Sequence, residues 1–153
     1  MDPLSSFCVR LAQPANLDSV LAIRRDAILA LAPRQLTEEA AARWAGSPDR
    51  PARCRAAIVA ERLWLAQLAD APAGWLEVTK DFVDGLFVAP DCWRRGIGSR
   101  LMDFAERMIR DAGFAAARLD AAYEAERFYA RRGYTASGPR PPNRGTPMTK
   151  VLA

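Results

Sequence analysis

The sequence contains no histidine. That absence removes Ser-His-Asp and Cys-His nucleophilic machinery and most catalytic zinc sites. Proton transfer near neutral pH then falls to carboxylates, tyrosine, cysteine, lysine or water. Cysteine is sparse as well: Cys8, Cys54 and Cys92 are widely separated, and no CxxC pair occurs. Neither a zinc ribbon, a dithiol redox centre nor a disulfide framework is expected from three such residues. No metal site is expected. Cys92 reads either as a reactive thiol or as an ordinary reduced cysteine. Long apolar runs are missing, so no membrane span is expected. The opening MDPLSSFCVRLAQ shows no basic start followed by an apolar block, so no secretory leader is expected either. The default is a cytoplasmic enzyme or binding module.

What is present fits one folded unit. The chain has 153 residues, of which 50% are hydrophobic and 26% charged. That length and balance predict a single domain over residues 1–153 with a sizeable core. The net charge of +4 is unevenly spread: residues 1–89 hold 10 Lys+Arg against 11 Asp+Glu, residues 90–153 hold 12 against 7. Only Lys80 and Lys150 are lysines, so arginine carries the positive charge. An arginine-rich half serves either solubility or the binding of an anion.

The pattern along the chain alternates strand and helix signals. FCVRLA (7–12) predicts a first strand. Asn16 stands where it can cap a helix carrying Leu17, Val20, Leu21, Ala27, Ile28 and Leu31, with Pro33 as its stop. Thr37, Glu38 and Glu39 open a second helix that Gly46 ends, and ARCRAAIVAER predicts a third. LWLAQLAD, AGWLEVTKD and FVDGLFVAP read as three strands, with APAG and DFVD as antiparallel hairpin links. Leu101, Met102, Ala105, Met108, Ile109 and Ala112 follow helical spacing up to Gly113. AAARLDAAY reads as a strand, EAERFYARRG as a short helix, and YTASG with TPMTKVL as a final hairpin around PRPPNRG. The fold class is a mixed α/β (α+β) domain with a central, mostly antiparallel sheet, not a doubly wound one.

Between the third of those strands and the longest helix lies FVAPDCWRRGIGSRLM, residues 87 to 102. A strand, a glycine turn and a helix start together make an anion trap. The first turn of a helix has unpaired N–H groups and a partial positive charge. Glycines let the backbone close on phosphate oxygens, and Arg94, Arg95 and Arg100 add charge. A Walker loop needs GxxxxGK[ST], which is absent. A dinucleotide fingerprint needs a third glycine where Leu101 stands, and it should follow its strand at once. Asp120 lies near the distance of a ribose-binding acid, but the antiparallel strands upstream argue against that fold.

LFVAPDCWRRGIGSRLM followed by ERFYARRGY resembles the GNAT superfamily of N-acetyltransferases. In that family a strand ending in V-x-P leads into Q/R-x-x-G-x-G/A and a helix, and a Y-x-x-x-G-F/Y element follows downstream. The order of elements is similar over nearly the full chain. The resemblance implies a GNAT-like fold with helices flanking the sheet and acetyl-CoA as cosubstrate. It implies that Arg94, Arg95, Gly96, Ile97, Gly98 and Ser99 hold the pyrophosphate. Leu86, Phe87 and Val88 would pair with the pantetheine arm and polarise the thioester carbonyl through backbone N–H groups. Tyr129 would stand near the thioester sulfur. Two positions depart from the pattern. Trp93 replaces the family's Gln or Arg, and Glu124 stands where relatives often have Asn.

Acetyl transfer to an amine needs the amine neutral. For a lysine-like amine with a pKa near 10.4, neutralisation at pH 7 costs about 4.6 kcal/mol, and a carboxylate can take that proton. Asp84 is the first choice of base, with Glu77, Asp120 and Glu124 as alternatives. Tyr129 is the candidate donor to the leaving thiolate. The acceptor, a primary amine of a small molecule or peptide, is expected near Trp44, Trp64 or Trp75, unless these aromatics are core. A non-catalytic acyl-CoA-binding or sensing module on the same fold is the alternative reading. A nucleic-acid binder using the arginine-rich half ranks last, since no basic element interleaved with exposed aromatics is recognisable. A homodimer is left open.

Overall fold

The computed structural model describes residues 6–142 and 144–153. Along the chain run β1 (Phe7–Leu11), α1 (Leu17–Leu29), α2 (Glu38–Ala45), α3 (Arg50–Val59), β2 (Leu63–Leu68), β3 (Ala71–Thr79), β4 (Phe82–Val88), α4 (Ile97–Asp111), β5 (Ala116–Ala121), α5 (Glu126–Arg131), β6 (Thr135–Ala136) and β7 (Thr146–Val151). The strands are ordered β1-β2-β3-β4-β5-β7-β6 in one sheet. β4 and β5 run parallel, whereas the β1–β2, β2–β3, β5–β7 and β6–β7 ladders are antiparallel. This is the mixed, mostly antiparallel, helix-flanked sheet that the sequence predicts.

Contacts along the chain divide it into two compact units, Met1–Glu77 with Gly85–Met102 and Val78–Asp84 with Asp103–Ala153. In the first, Ala12, Val20, Ile23, Cys54, Ala57, Ile58, Leu63, Leu65 and Trp75 form one buried cluster, with Phe87 and Ala89 packed against it. Burying each large aliphatic side chain contributes roughly 1.5–3 kcal/mol. Trp75 is 0% exposed, and its indole N–H donates to the Val20 carbonyl at 3.0 Å, so its polar atom is satisfied inside the core. Arg24 is also buried on α1. It donates to the carbonyls of Trp44 (3.0 Å) and Ala45 (3.3 Å), where the C-terminus of α2 concentrates negative partial charge. Desolvation, with Arg50 next, lowers its pKa to about 10, so it stays charged at neutral pH while tying α1 to α2.

The second unit is built differently. Ala117, Leu119, Ala121, Tyr129, Tyr134 and Met148 are buried, but so is Glu106 on α4. Its carboxylate accepts from Lys150 Nζ (2.7 Å), Tyr134 Oη (3.0 Å) and Arg132 Nη2 (3.3 Å). Arg132 also reaches Asp103 at 2.6 Å. A buried carboxylate costs several kcal/mol unless paired in this way. Arg118 makes a two-pronged bond to Asp81 at 2.9 and 3.0 Å, which holds that carboxyl below its usual range.

Several local expectations change. Thr37 caps α2 as predicted, its hydroxyl accepting from Ala40 N–H at 3.1 Å. Asn16 occupies the N-cap position of α1 but makes no capping bond to that helix. Its Oδ1 turns back to accept from Gln13 N–H at 2.8 Å and from Arg10 Nη1 at 3.2 Å, serving the short Pro14–Asn16 turn instead. α1 ends at Leu29, several residues before Pro33. The first hairpin turns at Ala69–Asp70, not at APAG. Both residues have positive φ, 52° and 65°, which is the backbone of a type I′ turn. APAG lies inside β3, where the register shifts opposite Ala66 and Gln67. The second link is Lys80–Asp81, with Lys80 at φ 57°, so Phe82, Val83 and Asp84 of DFVD already belong to β4.

Candidate active site

Residues 85–102, from the second half of β4 to the start of α4, lie within the first unit. Gly74 allows β3 to approach the end of β4: a Cβ there would sit 2.7 Å from the Phe87 carbonyl oxygen. Ala89 N–H donates to the Ala73 carbonyl at 2.8 Å, which fixes where the strand stops. Pro90–Cys92 then forms a single 3-10 turn. Arg94 and Gly96 follow with φ of 65° and 80°. Gly96 takes that backbone freely, but Arg94 does so at a cost of roughly 1–2 kcal/mol. α4 begins at Ile97, ahead of Leu101, where its predicted apolar spacing starts, so Gly98 sits inside its first turn.

This geometry frees a set of donors. Arg100 N–H bonds the Gly96 carbonyl at 3.0 Å. The amides of Ile97, Gly98 and Ser99 precede it and have no carbonyl one turn back. The side chain of Ile97 is 1% exposed, so it anchors the helix and only its amide is available for binding. Arg94 and Arg95 are exposed, and among the described residues neither forms an ion pair or hydrogen bond. Arg100 lies 5.6 Å from the Phe7 ring centroid. Two free guanidinium groups beside three open amides at the positive end of a 15-residue helix suit a multiply charged phosphate ester.

Leu86, Phe87 and Val88 are half-buried at the end of β4. Phe87 stacks against Trp75 with centroids 5.0 Å apart, and Arg24 lies 5.9 Å from the Phe87 centroid. In the sequence Trp93 is only a departure from the family pattern. Its indole N–H donates to the Val88 carbonyl at 2.8 Å. The residue type alone gave no sign of that bond, because it depends on the path of the intervening turn. Cys92 is half-buried, and burial, with Asp91 next, raises its thiol pKa above the ordinary value. That direction favours the ordinary reduced-cysteine reading of Cys92. Trp75 belongs to the core rather than to an acceptor surface, whereas Trp44 and Trp64 are half-buried.

Asp84 and Tyr129 lie in the second unit. Asp84 is exposed on β4. The β4–β5 ladder consists of Phe82↔Arg118 and Val83↔Leu119, immediately before it. Tyr129 is 8% exposed and packs edge-on against Phe128 (5.1 Å) and Tyr134 (5.8 Å). Burial raises its phenol pKa well above the ordinary value, so the hydroxyl holds its proton throughout neutral pH. Among the described residues none hydrogen-bonds that hydroxyl. Of the other carboxylates, Glu77 is buried on β3 with Arg62 at 3.9 Å, Asp120 is exposed on β5, and Glu124 is half-buried ahead of α5.

The family profile described as "Acetyltransferase (GNAT) domain" matches residues 33–152. The chain belongs to the GNAT acetyltransferase family. As a GNAT protein it is an acyltransferase. It is similar to the GCN5-related N-acetyltransferase of Rhodopseudomonas palustris, whose solved structure it matches at 28% identity and a TM-score of 0.87, covering 97% of this chain and 98% of that one. It also resembles PaiA N-acetyltransferase of Thermoplasma acidophilum, solved in complex with coenzyme A, at 17% identity and a TM-score of 0.80 over 96% of this chain and 99% of that one. The uncharacterised N-acetyltransferase YafP of Escherichia coli (strain K12) is 24% identical over 131 residues, which are 86% of this chain and 83% of that protein. Among the described residues of this GNAT chain, no helix is long and apolar enough to cross a membrane.

Proposed function

We propose that this protein transfers the acetyl group of acetyl-CoA to a primary amine of a small molecule or peptide. The observation that carries the reading is the turn into α4, where the amides of Ile97, Gly98 and Ser99 open the helix beside Arg94 and Arg95, which pair with none of the described residues. In a family of acetyltransferases, that donor set fits the diphosphate of coenzyme A, the ligand present in the PaiA structure. Leu86, Phe87 and Val88 would hold the pantetheine arm by backbone pairing, leaving an N–H to polarise the thioester carbonyl. Tyr129 would serve the leaving sulfur, and Asp84 would accept the proton of the amine.

The chemistry of Tyr129 narrows its role. Burial leaves its phenol less acidic than usual, which disfavours complete proton transfer to the thiolate. The hydroxyl acts as a hydrogen-bond donor to the developing thiolate, and the proton released by the amine supplies the final protonation. Titration calorimetry with coenzyme A tests the binding half of the proposal. Wild-type protein is expected to bind, and Gly98→Val, which puts a branched side chain among the open amides, to bind at least about tenfold more weakly with its fold intact by circular dichroism. A wild-type protein with no affinity for coenzyme A would overturn the function. Unchanged affinity in folded Gly98→Val would overturn the site.

A further inference from the structure

We propose that Trp93 is a positioning residue for the diphosphate turn, clasping the loop between β4 and α4 through its indole N–H. The inference rests on the acetyl-CoA reading above and gives a role to a residue where the family pattern places Gln or Arg. An uncharged indole cannot neutralise a phosphate. Its N–H instead donates to the Val88 carbonyl at 2.8 Å, the last residue of β4, five positions back. Trp93 N–H donates to the Pro90 carbonyl (3.2 Å) and Cys92 N–H to the Ala89 carbonyl (2.8 Å). Side chain and backbone together thus close the loop onto the strand end.

The clasp is placed where the backbone needs it. Immediately after Trp93, Arg94 adopts a left-handed conformation without being glycine, and Gly96 adopts another. That conformation costs a non-glycine residue roughly 1–2 kcal/mol, so contacts that hold the loop in place favour it. Were the loop to relax, Arg94 and Arg95 would redirect and the entry into α4 would fray, taking the open amides with it. Trp93 is 39% exposed, so the bond is not explained by a need to satisfy an indole sealed in the core. The charge that a family Arg would provide at position 93 is carried by Arg94 and Arg95. Trp93 keeps that charge aimed, and the division of labour separates geometry from electrostatics.

The test compares two acetyl donors, acetyl-CoA and S-acetylpantetheine, which lacks the diphosphate. Trp93→Phe removes the N–H and keeps an aromatic ring. Replacement of Trp93 by benzothienylalanine removes it with the indole shape retained. For both variants KM for acetyl-CoA should rise about three- to tenfold, the loss of one hydrogen bond, with kcat little changed. Their kcat/KM for S-acetylpantetheine should stay at the wild-type value. Equal losses with both donors would show a general structural role and overturn the proposal. Unchanged KM for acetyl-CoA in the benzothienylalanine protein would overturn it also. Neither result would touch the acetyl-CoA reading, which fails only if the wild-type protein does not bind coenzyme A.

Discussion

Tyr129 is buried edge-on against Phe128 and Tyr134. Its motif spacing, Tyr129 to Gly133 and Tyr134, was visible in the chain. What is not visible there is that its hydroxyl has no hydrogen-bond partner among the described residues and that burial holds its proton. Those two facts define the mutation to make. Tyr129→Phe removes an unbonded hydroxyl and keeps the ring against Phe128 and Tyr134, so the melting temperature should stay within about 2 °C. A hydrogen bond to a charged group contributes roughly 1.5–3 kcal/mol, so the chemical step should slow by about 10- to 150-fold while affinity for acetyl-CoA holds. Single-turnover release of coenzyme A measures that step directly. A wild-type rate there would remove Tyr129 from the mechanism. Asp84 was less legible, because an exposed carboxylate on a strand looks alike in sequence whether it works or is merely solvated.

At the scale of elements, strong periodicity was readable and turn chemistry was not. α4 showed itself by its apolar spacing, and α2 by Thr37, two glutamates and Gly46. The first hairpin differs from the sequence reading because Ala69–Asp70 carries no glycine or asparagine to announce a type I′ turn, while APAG offers the proline and glycine that mark turns in general. There the glycine serves a close approach to Phe87, and the extra residue is absorbed as a register shift. The Glu106 network was equally hidden, since its partners Lys150 and Arg132 come from distant segments. It joins α4, the end of α5 and β7, and sets the orientation of Tyr134 against Tyr129. Glu106→Ala should strand the Lys150 ammonium and half of the Arg132 contacts. Lys150 keeps some exposure and Arg132 keeps Asp103, so the expected loss is about 2–3 kcal/mol, a fall of roughly 5–10 °C in melting temperature. A melt shifted by less than about 2 °C would show the network to be dispensable.

At the scale of the whole molecule, charge is the property that composition made legible. The sequence shows an excess of arginine after residue 90, and it leaves open whether that excess serves solubility or an anion. Arg118 and Arg132 are engaged with Asp81, Asp103 and Glu106, so part of the excess is internal pairing. Among the described residues Arg94 and Arg95 form no ion pair or hydrogen bond, and they precede the open amides of α4. Free charge at the mouth of an anion site accelerates encounter more than it deepens binding. Coenzyme A carries several negative charges, and the screening length shrinks from about 30 Å at 0.01 M salt to about 10 Å at 0.1 M. The association rate, followed by stopped-flow fluorescence, should therefore fall severalfold over that range, with a much smaller change in dissociation. In the Arg94→Ala/Arg95→Ala double variant the slope should flatten and the low-salt rate should drop. If the double variant kept both the rate and the slope of the wild type, the steering charge would have to lie elsewhere. Arg100, 5.6 Å from the Phe7 ring centroid, would then be the next residue to replace.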